Sequence, residues 1–133
     1  MAKIAYIVRG VPGSGKSTIA ARLAGDNGVI HSTDQYFMVD GVYVYDPTKL
    51  QEYHTKNQTA FDASLQADIP VVICDNTNVR LEHMRPYIEA AKRHGYEVRI
   101  ITVPHPDPAV AAARNTHGAS LKTIERMIRR WED

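Results

Sequence analysis

Apolar residues recur along this chain in short blocks of two periods. Ile4–Val8 (IAYIV) is a nearly continuous apolar run, the pattern of a strand covered on both faces. Lys16–Ala24 carries Ile19, Ala20 and Leu23 on one helical stripe and is stopped by Gly25-Asp26-Asn27-Gly28. Val29–Ser32 predicts a second short strand. Asp40-Gly41 between β-favouring residues predicts a hairpin, which Asp46-Pro47 ends. A long helix then opens at Pro47 or Thr48 and runs to about Gln66. Pro70–Asp75 (PVVICD) is the clearest buried strand. Leu81, Met84, Ile88 and Ala91 form the next helical stripe, ending at Gly95. Pro86 lies inside it, at a cost of ~3 kcal/mol in a helix interior, so the helix either kinks there or begins near it. Glu97–Val103 predicts a fourth strand. Asp107 and Pro108 predict an N-cap and first turn for a short helix ending at His117-Gly118. Ser120 caps a last helix with Leu121, Ile124, Met127, Ile128 and Trp131 on its core face.

Strands alternate with helices. That order predicts an α/β fold: a four-stranded parallel sheet between two helical layers. Ligands bind such sheets beyond the carboxyl ends of the strands. Three strands end there in polar groups: the glycine-rich stretch after Val8, Ser32-Thr33-Asp34, and Asp75-Asn76.

Composition adds bounds. The chain has 133 residues, enough for one domain spanning 1–133, and its 44% hydrophobic content can fill a core. Net charge is +1, which names no partner and is far from the strongly basic balance of a typical DNA-binding domain. Residues 1–79 carry six basic and eight acidic side chains, and residues 80–133 carry ten and seven. The single cysteine, Cys74, excludes an intrachain disulfide and sits in an apolar strand, where an inert buried thiol is expected. No apolar run approaches the roughly 18 residues of a membrane span, and the N-terminus lacks a signal-peptide layout. The expected location is the cytoplasm, with no membrane partner. The six histidines show no metal-ligand spacing, and the sequence carries no signal for oligomeric state.

The chemistry concentrates in RGVPGSGKST. Gly10-Val11-Pro12-Gly13-Ser14-Gly15-Lys16-Ser17 matches G-x-x-x-x-G-K-[ST] in full, with a strand before it and a helix after. The glycines let backbone N–H groups turn inward around phosphate oxygens, and the helix adds its positive end. Gly10, Pro12, Gly13, Ser14, Gly15, Lys16, Ser17 and Thr18 are thus the candidate nucleotide-binding residues. Lys16 is expected on the β- and γ-phosphates and Ser17 on Mg²⁺. Guanine-specific proteins often use [NT]-K-x-D. The nearest match, Thr55-Lys56-Asn57-Gln58, has Gln in place of Asp and lies in a predicted helix, so ATP is the expected nucleotide.

Phosphoryl transfer also needs a proton acceptor, a metal site and charge cover. Asp34, just past the second strand, is either a base for an acceptor hydroxyl or a turn-capping acid. Asp75, closing the third strand, is either a Mg²⁺-site acid or a helix cap. Arg114 is either a guanidinium on a closing flap or a solvated surface residue. Lys122, Arg126, Arg129 and Arg130 are expected on a solvated helix face.

RGVPGSGKST, STDQYF, DGVYVYDP, ICDNTNV, MRPYIEAAKRHGY and ARNTHG followed by IERMIRRWE resemble, in order and spacing, the polynucleotide 5′-hydroxyl kinase type of P-loop kinase, in its branch of small ATP-binding domains. The resemblance runs from about residue 3 to residue 132. It implies a three-layer α/β/α P-loop NTPase fold with a short helical lid at about 104–118. It implies ATP and Mg²⁺ at Lys16 and Ser17, Asp34 as the acid activating the acceptor, Asp75 as the acid ending the third strand, and Arg114 as a phosphate-clamping lid arginine. It also implies the 5′-OH end of a nucleic acid as substrate. Tyr36, Phe37, Asn76 and Asn78 are the candidate acceptor-side residues, and Tyr36, Phe37, Tyr43 and Tyr45 are expected either at the acceptor mouth, where rings can stack on a terminal base, or packed on the long helix. Phage-type members carry an arginine three residues after the catalytic Asp, where this chain has Phe37. A small-molecule kinase and a non-catalytic ATP-binding module are the alternatives.

Overall fold

The structure, a computed structural model, describes residues 2–133. Its strands and helices follow in the order β1 (Ile4–Arg9), α1 (Lys16–Ala24), β2 (Gly28–His31), β3 (Met38–Val39), β4 (Val42–Tyr43), α2 (Leu50–Gln66), β5 (Val71–Asp75), α3 (Leu81–Arg93), β6 (Glu97–Thr102), α4 (Pro108–Arg114) and α5 (Leu121–Arg129). Four strands form a parallel sheet in the order β2-β5-β1-β6, so the two most apolar strands are central. β1 and β5 pair with Ile7 opposite Cys74 and Val8 opposite Asp75.

The period of two sorts the central strands between the layers. Ala5, Ile7, Val72 and Cys74 face α2 and α3, packing on Phe61, Leu65, Met84 and Tyr87. Val8 and Ile73 face the other way, against Ala20 and Ala24 of α1 and Val103. Each fully buried large side chain stabilises the fold by roughly 1.5–3 kcal/mol. β3 and β4 form a separate antiparallel hairpin whose central pair, Asp40-Gly41, has positive φ at both residues. That is the type I′ turn expected of Asp-Gly. Among the described residues, no helix is long and apolar enough to cross a membrane.

Three expectations need correction. Of the two readings of Pro86 the helix start is excluded: α3 begins at Leu81 and runs through the proline. Met84, Tyr87, Ala90 and Ala91 are all buried on the same core, and that burial outweighs the lost backbone bond. The short helix α4 ends at Arg114 rather than at His117-Gly118, because Asn115 turns extended. Leu121 is exposed, so the core face of α5 starts at Ile124.

A third, smaller core joins Val11 of the glycine-rich loop to Ala111 of α4 and Ile124 of α5, all buried. α4 lies so close to the loop that a Cβ on Gly13 would overlap the Ala111 carbonyl. Gly13 also has a φ of 80°, which side-chain-bearing residues rarely adopt. Arg9, 3% exposed at the end of β1, holds the C-terminal segment. Its guanidinium donates to the carbonyls of Asn78, Val79 and Glu132 and lies 4.3 Å from the Trp131 ring centroid.

Candidate active site

The loop Gly10–Ser17 leaves β1 and feeds α1 at the carboxyl edge of the sheet. Lys16 is buried there. The Ser17 hydroxyl donates to Asp75 Oδ2 at 3.1 Å. The second oxygen, Asp75 Oδ1, is buried with no partner among the described residues, as is Ser14 Oγ. Burial pushes the Asp75 carboxyl up from its ordinary range, against the downward pull of Lys16 and the Ser17 bond. A buried carboxylate oxygen without a partner costs free energy. It also suits a cation. Mg²⁺ binds through one or two carboxylates, with waters and substrate phosphates completing its shell, so Asp75 beside the Ser17 hydroxyl fits that ion.

Across the rim, a 3₁₀ turn (Thr33–Phe37) follows β2 and carries Asp34. Both carboxylate oxygens are engaged. Tyr43 Oη donates to Oδ1 at 3.2 Å, and His117 Nδ1 lies 3.3 Å from Oδ2. The two rings stack on each other, centroids 4.2 Å apart and 21° from parallel. Burial and the Asp34 charge push the Tyr43 phenol well above its ordinary pKa, so it stays protonated as a donor. Thr33 anchors the turn: its N–H donates to Asn76 Oδ1 at 3.0 Å, and its hydroxyl pairs with His54 Nδ1 at 3.0 Å.

The four acceptor-side candidates divide. Asn76 and Asn78 belong to a buried polar network. Asn78 Nδ2 donates to the Val8 carbonyl at 2.9 Å and Asn76 Nδ2 faces Tyr87 Oη at 3.4 Å, so the amides brace the strand ends. Both still line the cavity in front of Asp34. Phe37 is 2% exposed and packs edge-on to Tyr43 and Tyr53, so it supports the site from behind and does not face an acceptor. Tyr36 packs on Tyr53 of α2. The aromatics that line the cavity are Tyr43 and Tyr45.

That cavity, about 980 Å³, runs from Tyr43, Tyr45 and Leu50 past Asp34 and His117 to Arg80, Arg126 and Arg130. Arg126 and Arg130 therefore belong to its wall, not to a purely solvated helix face. Among the described residues neither forms an ion pair, whereas Arg80 meets Glu132 at 3.4 Å. Arg114 is not brought to this cluster. It ends α4 exposed, with no ion pair among the described residues. Cys74 is fully buried and burial raises its thiol pKa, as expected of an inert cysteine.

Residues 6–132 match the AAA domain family. The chain belongs to the AAA domain family. This AAA domain is 38% identical over 137 residues to human NEDD4-binding protein 2, covering 97% of this chain and 8% of that protein. It thus spans less than a tenth of that relative's length. Among solved structures, a chain of the Pnkp1/Rnl/Hen1 RNA repair complex superposes with a TM-score of 0.73 at 20% identity, over 96% of this chain and 43% of that one. A gluconokinase from Sinorhizobium meliloti 1021 superposes with a TM-score of 0.62 at 19% identity, over 99% and 75%. The fold is that of P-loop kinases, a nucleotide-binding scaffold.

Sequence reasoning missed two parts of the site, His117 and Arg9. His117 meets Asp34 from a distant segment, and only its place in ARNTHG singled it out, whereas Tyr43 and Tyr45 line the cavity as the aromatic segment after Asp34 led one to expect. Arg9 opens the glycine motif, yet its partners lie at the other end of the chain.

Proposed function

We propose that this AAA domain, residues 1–133 with a lid at about 104–118, is an ATP-dependent kinase. It transfers the γ-phosphoryl group to a hydroxyl, with the 5′-OH end of a polynucleotide as acceptor. The observation that carries the reading is the division of the rim. Asp75 and Ser17 pair beneath the glycine loop, and Asp34 lines the adjoining cavity, which Pro12 of the loop also borders. A carboxylate so placed can take the proton of a hydroxyl that attacks the γ-phosphorus.

Backbone N–H groups of Gly10–Thr18, with Pro12 at the cavity edge, cradle the phosphates, and Lys16 reaches the β- and γ-phosphates. Ser17 and Asp75 would hold Mg²⁺, which would supply charge neutralisation to the phosphates. Asp34 takes the proton of the acceptor hydroxyl. The acceptor oxygen bonds to the γ-phosphorus as the bond from phosphorus to the β–γ bridging oxygen breaks, and ADP leaves. Arg114, exposed and in no ion pair among the described residues, covers the phosphoryl charge when the lid is down.

A nucleic acid acceptor is supported by the cavity wall. Arg126 and Arg130 offer unpaired cations to a phosphodiester chain, and Tyr43 and Tyr45 offer rings on which a base can stack, typically worth ~1–3 kcal/mol. The likeness to a chain of an RNA repair complex supports the same acceptor. Label transfer from γ-labelled ATP to a 5′-OH oligonucleotide tests the reading. Transfer to the oligonucleotide is expected, and its absence across metals and pH overturns it. The gluconokinase likeness favours a second reading, a small-molecule kinase. Transfer to a sugar or nucleoside but not to an oligonucleotide would select it.

A further inference from the structure

The segment between α4 and α5 is built to deliver one side chain. Asn115 knits it together. Its Nδ2 donates to the carbonyls of Ala112 at 2.9 Å and Ala119 at 3.0 Å, and its Oδ1 accepts from the N–H groups of His117 at 3.2 Å and Ala119 at 2.9 Å. Gly118, with a φ of 73°, closes the turn. The side chain held out by this frame is His117, which reaches Asp34 Oδ2 at 3.3 Å and stacks on Tyr43. The base of the segment is fixed as well, since Ala111 and Ile124 on either side share a core with Val11 of the glycine loop.

We propose that His117 is a positioning residue for Asp34, through which the lid aligns the catalytic acid. The proposal rests on the kinase reading above. Asp34 sits on a short 3₁₀ turn, and its carboxylate orientation is set only by what its oxygens meet. Tyr43 holds Oδ1 from the hairpin, and His117 holds Oδ2 from the lid. Each carboxylate oxygen has two acceptor sites, so both contacts leave room for an acceptor hydroxyl. With the Nδ1 proton on Asp34, the imidazole is fixed in one tautomer. Without His117 in place, Tyr43 loses its stacking partner and Asp34 Oδ2 loses its only contact from the lid, leaving the carboxylate held by Tyr43 alone. Lid closure and alignment of the base are then one event. RN-x-HG is the device that links them, with Asn115 and Gly118 shaping the loop and His117 making the contact.

Two measurements on the intact domain test this. The first uses ¹⁵N-detected NMR of the histidine rings at alkaline pH and needs no acceptor. The wild type is expected to show His117 in the Nδ1–H tautomer, and Asp34→Asn to shift it toward Nε2–H. Ring shifts unmoved by Asp34→Asn overturn the contact. The second is kinetic. His117→Ala is expected to lower kcat about 10–100-fold with ATP affinity unchanged, the scale of a misplaced reacting group. His117→Asn, whose amide N–H can stand in for Nδ1–H, should recover most of that loss. Asn115→Ala should reproduce it. In an Asp34→Asn background His117→Ala should add little. An unchanged kcat in His117→Ala, or losses that multiply with Asp34→Asn, overturns the role. If the wild type phosphorylates no hydroxyl acceptor, the kinase reading falls, and the NMR result still decides whether His117 holds Asp34.

Discussion

Burial pushes the Asp75 carboxyl upward more strongly than Lys16 and Ser17 pull it down. By linkage, a carboxyl whose folded pKa is raised opposes folding once it ionises. Asp75→Asn, which mimics the neutral form, is therefore expected to raise the Tm of the metal-free domain by a few degrees. Mg²⁺ with a nucleotide should raise the Tm of the wild type more than that of the variant. Melts with chelator and with Mg²⁺ check both parts, and a variant that melts lower without metal contradicts the first. Asp34 faces the other demand. It is half-exposed, and its two contacts orient it rather than bury it. Asp34→Asn should lower kcat about 10²–10⁴-fold, the scale of general base catalysis, and leave ATP affinity intact. Turnover and isothermal titration separate the two effects.

At the scale of elements, α3 shows packing overriding local preference. Pro86 cannot donate to the carbonyl four residues back, and its ring crowds that turn. The helix persists because Tyr87 beside it is 2% exposed, in edge contact with Phe61. Pro86→Ala restores the N–H while losing the restraint on the unfolded chain. The net gain is expected to be about 1–2 kcal/mol, read as a higher denaturant midpoint at unchanged slope. The loop, α4 and α5 form another unit. Gly13 answers to Ala111 as well as to its own turn, so the motif glycine serves helix packing in addition to phosphate approach. Such a double role is invisible in a motif, because the second partner is 98 residues away.

For the molecule as a whole, acid stability follows from histidines held neutral. Burial is the largest cause lowering the pKa of His31, His54 and His83 below the ordinary 6.5. Below that value the unfolded chain binds protons that the folded chain refuses, so stability falls as pH drops. Tm is expected to decline from about pH 7 to about pH 5, with folding intact above. Asp75 has the opposite sign, because its raised pKa favours the fold as it protonates. The acid decline should accordingly be steeper in Asp75→Asn than in the wild type. A flat profile in both would contradict the histidine assignment.

The sequence by itself determined the parallel sheet, its helical layers, the glycine loop and the acids at the strand ends. Those features are local: apolar periodicity sets each element, and strand ends in such a sheet share one rim. Tertiary structure alone decided which side chains meet there. Phe37 left the acceptor side because the hairpin folds it beneath Tyr43 and onto Tyr53. His117 joined Asp34 because the lid segment crosses over the rim, and Arg126 and Arg130 became cavity wall because α5 and the first turn of α3 line the same cavity. Arg114, the lid residue that stood out in the sequence, stayed on the surface. Contacts across so many residues depend on how elements dock, and docking is settled by cores such as Val11–Ala111–Ile124, which no local pattern records.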